Sequence, residues 1–452
     1  MRFPQLKMTA PCALLGACLC VCLFAATPAT AQKDNYTSQL NITKNGKKMY
    51  QVKKLGYALE FESKGVVELN KSDTDVASIT PGGYLEISEK EWRTRRQVRI
   101  ESSRSGALTY RYKLNGKEKD FAEIDRDWYE DMLVKMIRET GVGASERTKR
   151  ILNNDGVAGV FSEIAKIISS SARVAYMTAL FEQAKLDDRQ LLQASKLVKD
   201  IPSSGDRSRF LKWAAPQYVA SEKAAPYFFD AVESIPSSGD KTRVLTSLVE
   251  DELLDNETSY LEAIRVANSI PSSGDRSRFL IKAADLYIDE AADYYFEAIN
   301  GIPSSGDKTR VLTKLVESGA LENDEAYMQA LAAAKHIPSS GDRSRFLIAA
   351  IGTYPPTASD AYFDVVNSLP SSGDHARVLM KFAQDAQLTR AGMEAYLASA
   401  QKISSSGDKT RALLAVAGKV AGDEDLVDAY LEAADTIPSS GDYKRALSAL
   451  MD

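Results

Sequence analysis

Alternating apolar and polar positions dominate the first part of the chain and predict β-strands there. The alternation is clearest at residues 57–63, 66–70, 84–88, 98–101 and 108–114. A period of two residues buries one face of a strand, and the dipeptide Asn115 and Gly116 is typical of a hairpin turn. These patterns predict a small antiparallel sheet or sandwich. Across residues 124–140 the apolar positions recur at helical spacing, which predicts a helix.

The second part of the chain is dominated by an internal repeat. Ser-Ser-Gly-Asp occurs eight times, with its glycine at 205, 239, 274, 306, 341, 373, 407 and 441. Steps of this length are typical of a solenoid built from helical hairpins. Asp-Arg-Ser-Arg-Phe-Leu begins at 206, 275 and 342, and Asp-Lys-Thr-Arg-Val-Leu begins at 240 and 307, so the duplicated unit is a pair of about 67 residues. A shortened copy at 168–174 extends the helical repeats upstream to about residue 145.

Together these patterns predict an α+β protein in which the two classes of structure occupy different domains. A small antiparallel β domain precedes an all-α solenoid of helical hairpins of about 34 residues. The predicted divisions are a signal peptide at 1–31, a β-rich domain at 32–120, a helical segment with degenerate repeats at 121–200, and the solenoid of eight repeats at 201–452.

The repeat at residues 270–280 shows what each position is expected to do. A proline ends the incoming segment, a serine caps the next helix, and Asp275 lies in the first turn near the positive end of the helix dipole. Arg278 follows three residues later on the same face. Because glycine is a poor helix former, the eight copies represented by Gly274 predict close backbone packing against the adjacent repeat. Aromatic residues of the repeats, among them Trp213, are predicted to belong to the hairpin core.

The aspartate and arginine of every repeat form the main candidate for a binding face. Eight helix N-termini in register would favour an anionic or peptide ligand. The alternative is a structural ladder that caps helices and ties repeats together, and the sequence favours it because ligand sites usually lie where repeats differ. The arginines are Arg209, Arg243, Arg278, Arg310, Arg345, Arg377, Arg411 and Arg445, and the aspartates are Asp206, Asp240, Asp275, Asp307, Asp342, Asp374, Asp408 and Asp442.

Residues 1–31 have the pattern of a secretory signal peptide. A basic start precedes an apolar run at 12–26, and Ala29, Thr30 and Ala31 form a typical cleavage pattern. This predicts a periplasmic or extracellular protein; a retained N-terminal anchor and lipidation at Cys18 are the alternatives. All four cysteines lie in this segment, so the rest of the chain holds no disulfide and no cysteine-based site.

Charge divides the chain in the same place as the hydrophobic pattern. Residues 32–120 carry 18 basic and 12 acidic side chains, whereas residues 121–452 carry 37 basic and 50 acidic ones. Opposite charges favour docking within the molecule or two partners of opposite sign, and two solvated surfaces are the alternative. The basic stretch at 90–104 alternates along a strand and so points to both faces; contact with a lipid surface or a polyanion is one interpretation. Its arginines are Arg93, Arg95, Arg96, Arg99 and Arg104.

The sequence offers few groups for catalysis or metal binding. His336 and His375 are the only histidines, and both are expected at the surface without a set of partners. There is no serine-nucleophile elbow and no phosphate-binding loop. The sequence therefore indicates no catalytic residue, no metal site, no cofactor and no nucleic-acid partner. Glu123, Asp125 and Asp127 are the candidates if the region between the domains holds an enzymatic site.

The end of the second helix of each hairpin resembles that of tetratricopeptide repeats. An aromatic residue is followed by a small residue three positions on and by a proline eight positions on. The Trp, Leu-Gly and Tyr positions that this family places in the first helix are not filled, so the resemblance implies hairpin length and topology. The matching residues are Tyr295, Ala298 and Pro303, and Tyr430, Ala433 and Pro438.

A second resemblance covers residues 57–180. The segments 78–87, 112–116 and 138–141, together with Trp128, are similar to the extracytoplasmic tail of some bacterial BlaR-type membrane metallopeptidases and related secreted proteins. The resemblance implies a small β domain followed by helical repeats. Peptidase activity is not implied, because the chain has no His-Glu-x-x-His motif and no bundle of transmembrane segments.

These observations lead to the expectation of a non-catalytic scaffold outside the cytoplasm that binds a protein or a peptide along its solenoid. The first alternative is a self-assembling structural protein of the envelope, favoured by apolar residues in the last repeat, and the second is a regulatory subunit of an envelope enzyme. The expected partner is an extracytoplasmic protein or peptide; a membrane surface that contacts the basic β domain and a second copy of the chain are further candidates.

Overall fold

The computed structural model describes residues 37–42, 47–386 and 388–451. The predicted signal peptide lies outside these residues. Where the chain is described, an antiparallel β domain is followed by a long series of stacked helices. The predicted fold class, a β domain followed by a solenoid of helical hairpins, is confirmed.

The β domain consists of one large and one small antiparallel sheet. The large sheet has the order β1-β2-β3-β6-β7-β8-β9, and β4 pairs with β5. The alternating pattern predicted β3, β4, β6, β7 and β8 but not β1, β2, β5 and β9; β2 is rich in lysine, and β5 and β9 are short. The strands are β1 (Thr37–Ile42), β2 (Lys47–Lys54), β3 (Tyr57–Lys64), β4 (Val67–Leu69), β5 (Val76–Ile79), β6 (Tyr84–Glu91), β7 (Thr94–Ser102), β8 (Leu108–Leu114) and β9 (Lys117–Lys119).

Helix α1 (Arg126–Thr140) covers one face of the large sheet, as the spacing of its apolar residues predicted. Alternate residues of the strands, among them Phe61 and Ile87, are buried against Leu133 and Ile137 of the helix. Period two in the strands and period 3.6 in the helix thus place both apolar sets in one core. The opposite face of the sheet is polar, as Arg99 illustrates by bonding to Glu86 at 2.6 Å.

The β domain contacts the helices at one end of its sheet through a group of buried charges. Asp73, in the β4–β5 loop, binds Arg147 at 2.7 Å, and Arg147 binds Glu163 at 2.7 Å. Arg138 adds a second cation at 2.7 Å from Glu163. Burial alone would raise the pKa of the Glu163 carboxyl, but the two arginines outweigh it and lower that pKa. This network fixes the β domain on the following helix, α2 (Ala144–Ala165), because each buried charge has a partner of opposite sign.

The helices of the repeats alternate between two layers. We call the eight helices that begin with the Ser-Ser-Gly-Asp motif the A layer: α5 (Ser204–Val219), α7 (Ser238–Glu250), α9 (Ser273–Ala283), α11 (Ser305–Glu317), α13 (Ser340–Ala350), α15 (Ser372–Asp385), α17 (Ser406–Leu414) and α20 (Ser440–Met451). The B layer contains α6 (Ala225–Glu233), α8 (Glu257–Asn268), α10 (Ala292–Asn300), α12 (Asp324–Lys335), α14 (Ser359–Asn367), α16 (Arg390–Gln401) and α19 (Glu424–Asp435). Helices of one layer contact the next helix of the same layer, which is the packing of a solenoid.

Four further helices complete the described set: α2 (Ala144–Ala165), α3 (Ser170–Gln183), α4 (Asp188–Lys199) and α18 (Ala417–Val420). Helix α3 carries the degenerate repeat, and Ser169 caps it as the motif serine caps each A-layer helix.

Buried tyrosines join the two layers. The hydroxyl of Tyr260 in α8 donates to the carbonyl of Ala283 at 3.0 Å, and that of Tyr362 in α14 donates to Leu347 at 3.0 Å. Tyr430 in α19 bonds to Ala446 in the same way, at 2.9 Å. Each bond satisfies both a buried hydroxyl and a carbonyl near the end of an A-layer helix.

The close packing predicted at the repeat glycines is wrong. At Gly239, Gly274, Gly306 and the five other copies, a Cβ atom would meet nothing within 4 Å except a serine oxygen or an aspartate oxygen at its limit. Their φ angles are negative. The tight glycine of this region is instead Gly301, where a Cβ would overlap the guanidinium of Arg276.

This contrast predicts opposite effects for two alanine substitutions. Gly274→Ala should raise the free energy of unfolding by about 0.4–1 kcal/mol, because it restricts the unfolded chain without a clash. Gly301→Ala should lower it by about 1–3 kcal/mol, because the buried guanidinium must move. Denaturant unfolding of both variants measures the difference, and a destabilising Gly274→Ala would contradict the open surroundings of that glycine.

Candidate functional site

The repeat motif builds the same helix start eight times. In α9 the Oγ of Ser272 accepts from the amide of Asp275 at 3.3 Å, which caps the helix. The Asp275 carboxylate then receives Nη1 of Arg278 at 2.8 Å. Each of the eight Asp–Arg pairs predicted from the spacing of three residues is present as an ion pair.

The eight arginines form a continuous exposed feature on the A layer, which we call the arginine column (Arg209, Arg243, Arg278, Arg310, Arg345, Arg377, Arg411 and Arg445). Their side chains are 54–72% exposed, whereas those of the paired aspartates are 15–22% exposed. The column is therefore accessible, and its ion pairs contribute little to stability because water screens them.

The aspartates also tie neighbouring repeats together. The hydroxyl of Ser273 donates to the carboxylate of Asp307 in the next repeat at 2.7 Å. Burial would raise the pKa of Asp307, but bonds from Ser273 and Arg310 outweigh it and lower that pKa. The hydroxyl of Thr242 donates to the backbone carbonyl of Asp275 in the next repeat, at 3.2 Å. The structural ladder therefore accounts for the aspartates, whereas the side chains of the paired arginines are exposed.

The exposed surface beside the column differs from repeat to repeat. A groove of about 480 Å³ lies between α5 and α7 and is lined by Gly205, Arg209, Lys212 and Trp213. The indole of Trp213 is 44% exposed, so the prediction that it belongs to the core is wrong. The position seven residues after each glycine is at least partly exposed and variable: Lys212, Thr246, Ile281, Thr313, Ile348, Met380, Leu414 and Ser448.

A second groove of about 630 Å³ lies beside α15, where Met380 and Ile348 provide apolar walls between Arg377 and Arg411. The A layer thus combines a constant glycine and arginine with a variable residue one helical turn further on. This arrangement fits a surface that binds an extended partner and recognises it through the residues that vary from repeat to repeat.

Sequence reasoning missed a second set of basic residues, which lie beneath the surface. We call them the buried cations: Arg207, Lys241, Arg276, Lys308, Arg343 and Lys409, all of which are buried. Nε of Arg276 donates to the carbonyl of Ile270 at 2.8 Å, and its Nη1 donates to Ala298 at 3.2 Å. Ala298 lies in the last turn of α10, and Ile270 lies two residues beyond the end of α8, so one side chain joins the ends of two adjacent B-layer helices.

The buried arginines and the buried lysines differ in how many neighbouring helix ends they can bond to. Arg207 and Arg343 also bond to carbonyls on both sides, at Ile201 and Ser234 and at Ile337 and Ser368. Lys241, with a single nitrogen, reaches Ser269 on one side at 3.0 Å. Burial lowers the pKa of Arg276 and of Lys241.

A sequence signal for this set does exist. A basic residue or histidine follows the motif aspartate in seven repeats, and it lies four positions before a core leucine, on the same helical face.

His375 occupies the position of a buried cation in α15, and the prediction that it lies at the surface is wrong. Its ring is 3% exposed, and its Nε2 lies 2.9 Å from the Oγ of Ser399, which donates to Asn367 at 2.7 Å. Burial, followed by the charge of Lys402, lowers the pKa of His375 to about 4. The imidazole is therefore neutral at pH 7 and joins α15 to α16 by a hydrogen bond. His336 is exposed, as predicted.

The carboxylates proposed for the region between the domains lie at exposed positions. Asp125 caps α1 by accepting from the amide of Trp128 at 3.2 Å, and Glu123 pairs with Lys119 at 2.9 Å. Asp127 lies in the first turn of α1. Among the described residues no group of three or more His, Cys, Asp or Glu is placed to hold a metal ion.

Comparison with family models, with curated proteins and with solved structures finds no match for this chain. Within the described ranges, none of the helices combines the length and the apolar character needed to cross a membrane.

The buried His375 predicts a loss of stability in mild acid. Because its pKa is lower in the folded state than in the unfolded chain, the unfolded chain binds more protons, and the free energy of unfolding falls as the pH drops from about 6.5 to about 4. The loss should approach about 3 kcal/mol at pH 4. His375→Gln should remove this part of the pH dependence, as measured by denaturant unfolding at several pH values.

His336→Gln is the matched control, since it removes the exposed histidine. Identical pH profiles for the wild type and for His375→Gln would contradict the neutral buried ring.

Proposed function

We propose that the protein is a non-catalytic scaffold outside the cytoplasm whose A layer binds a protein or a peptide. The observation that carries the proposal is the row of repeat glycines beside the arginine column, which are partly or fully exposed and have open surroundings. Glycine costs helix stability of about 0.5–1 kcal/mol per residue relative to alanine. At Gly274 and Gly306 no neighbouring atom of the chain requires it. An approaching partner backbone supplies a reason, because a Cβ on each helix would hold it away.

The charge of the two layers favours a neutral or acidic partner for the A layer. Basic side chains of the A-layer helices exceed acidic ones by 8, whereas acidic side chains of the B-layer helices exceed basic ones by 13. Most of this excess of basic side chains in the A layer belongs to the buried cations, so the exposed face of the A layer is only weakly basic. An acidic segment would be attracted to this face and repelled by the B layer.

The family relationship is a proposal as well. We propose that each hairpin is tetratricopeptide-like in chain path and that the whole resembles the extracytoplasmic tail of BlaR-type metallopeptidases without the peptidase. Tyr295 and Ala298, which match the tetratricopeptide positions, are both buried between the layers. The location outside the cytoplasm rests on the composition of residues 1–31, as does the choice of an envelope partner.

The experiment is cross-linked capture from an envelope extract of the source cells, with residues 32–452 as bait and mass spectrometry as the readout. Gly274→Gln with Gly306→Gln fills the A face without an internal clash. The matched control, Tyr294→Gln with Met328→Gln, changes two exposed B-layer residues. We expect one defined partner to be lost, by about tenfold or more, with the A-face pair and retained with the control.

Thermal unfolding of both pairs should show that they remain folded. Full capture by the A-face pair would contradict the proposal. Recovery of the bait alone would contradict it too, in favour of a self-assembling structural protein.

A further inference from the structure

Three hairpin turns meet at the end of the large sheet that lies away from α2 and the repeats. The β2–β3 turn and the β6–β7 turn touch, because the amide of Trp92 donates to the carbonyl of Gly56 at 2.6 Å. The β8–β9 turn joins them, since the amide of Asn115 donates to Arg95 at 2.7 Å. Strand β1 also starts here, with Thr37 opposite Lys53.

Two large apolar side chains project from these turns. Leu55 is 92% exposed and Trp92 is 72% exposed. Trp92 has a φ of 50°, a conformation that bulky residues rarely adopt. Its indole lies over Gly56, where a Cβ would approach the ring to 3.0 Å. The backbone thus holds a tryptophan in water at a defined position, although nothing in the described chain covers it.

Basic side chains surround the two apolar ones. Within residues 47–120, twelve exposed side chains are basic and three are acidic, although the sequence of this domain is far less one-sided. The carboxylates are mostly half-buried partners of arginines, as Glu86 is of Arg99. We call the end of the sheet formed by Lys53, Lys54, Leu55, Lys90, Trp92, Arg93, Arg95 and Lys117 the hairpin tip. Glu91 and Glu118 are its exposed carboxylates.

The arginines of the stretch 90–104 lie on both faces of the sheet, as their alternation along the strand predicted. Arg93 and Arg95 are exposed at the tip. Arg96 lies on the helix side, 3.6 Å from Glu89 and over the ring of Trp128, and Arg99 lies on the polar side.

The tip is at the opposite end of the sheet from the contacts with α2 and the helices that follow it. The β domain meets the later helices at two places. In one, Gly65 and Val66 of the β3–β4 turn line a cleft with Gly141 and Gly143. The other is the network of charges around Asp73. A flat surface can therefore approach the tip without meeting the solenoid.

We propose that the hairpin tip docks on the anionic surface of a lipid bilayer, with Trp92 and Leu55 entering the interface and the cations contacting lipid headgroups. Tryptophan favours the interface between hydrocarbon and water, and clustered lysine and arginine are attracted to anionic lipids. A soluble polyanion would use the cations but would not require two exposed apolar residues in their midst. The solenoid, attached at the far end, then extends from the membrane with its A layer open to a partner.

The test is co-sedimentation of residues 32–452, which lack the apolar run at 12–26, with vesicles of phosphatidylcholine alone or with phosphatidylglycerol. Binding should require phosphatidylglycerol and fall with salt. The variant Lys53→Gln, Arg93→Gln, Arg95→Gln should lower the partition coefficient by about 100-fold.

The matched control for charge is Lys64→Gln, Lys71→Gln, Arg104→Gln, which removes the same charge from exposed positions at the other end of the sheet. It should bind nearly as wild type.

Trp92→Asn tests the apolar part, because asparagine tolerates a positive φ. It should weaken binding by about tenfold and abolish most quenching of tryptophan fluorescence by brominated lipid, whereas Val66→Ser, an exposed apolar change at the far end, should change neither.

Absence of binding to vesicles with phosphatidylglycerol at low salt would overturn the proposal. Equal losses in the tip variant and its control would also overturn it, because the attraction would then be general. Retention on heparin that Trp92→Asn leaves unchanged, without vesicle binding, would assign the cations to a soluble polyanion instead.

Discussion

The stacking of the solenoid depends on buried cations that satisfy the carbonyls at the ends of B-layer helices. The last carbonyls of a helix have no partner within it, and in a stacked array water cannot reach all of them. Arg207 does this for two helices at once, because its Nη1 donates to the carbonyl of Ser234, the C-cap of α6, at 2.8 Å and its Nη2 donates to that of Lys199, the last residue of α4, at 2.5 Å. The negative end of each helix dipole compensates in part for the desolvation of the cation. Buried arginines alternate with buried lysines over the first five repeats, from Arg207 to Arg343, in step with the paired unit of about 67 residues.

Because the buried cations that join the helices lie inside the solenoid, the exposed face of the A layer contributes little to its stability. The ion pairs of the arginine column are mostly solvated, the repeat glycines touch nothing, and the residue one turn further on varies from Lys212 to Met380. The β domain shows a similar division, because its carboxylates are mostly paired with arginines and most of its cations are exposed. Both proposals, a partner on the A layer and a membrane at the hairpin tip, concern surfaces that the internal contacts leave free.

The sequence predicted the fold well because its signals are periodic and repeated. The Ser-Ser-Gly-Asp spacing indicated the number and the caps of the A-layer helices, and alternation located five of the nine described strands. It failed where a side chain's environment depends on the neighbouring repeat. The sequence shows no set of partners for His375 and so favours a surface position, yet its place four residues before a core leucine turns it inward. Gly274 was interpreted as a packing residue, although only the three-dimensional arrangement shows that its surroundings are open. The hairpin tip could not be predicted, since it brings together three turns distant in sequence.

Native-state hydrogen exchange of Arg276→Met beside Arg278→Met tests the role of the buried cations most directly. The two arginines are two residues apart in α9, one buried and one in the arginine column. Arg276→Met should lower the free energy of unfolding by about 2–3 kcal/mol, because carbonyls are left without a donor, and should speed exchange at the ends of both α8 and α10. Arg278→Met should change it by no more than about 0.5 kcal/mol. Equal effects of the two substitutions, or faster exchange confined to α9, would contradict the account.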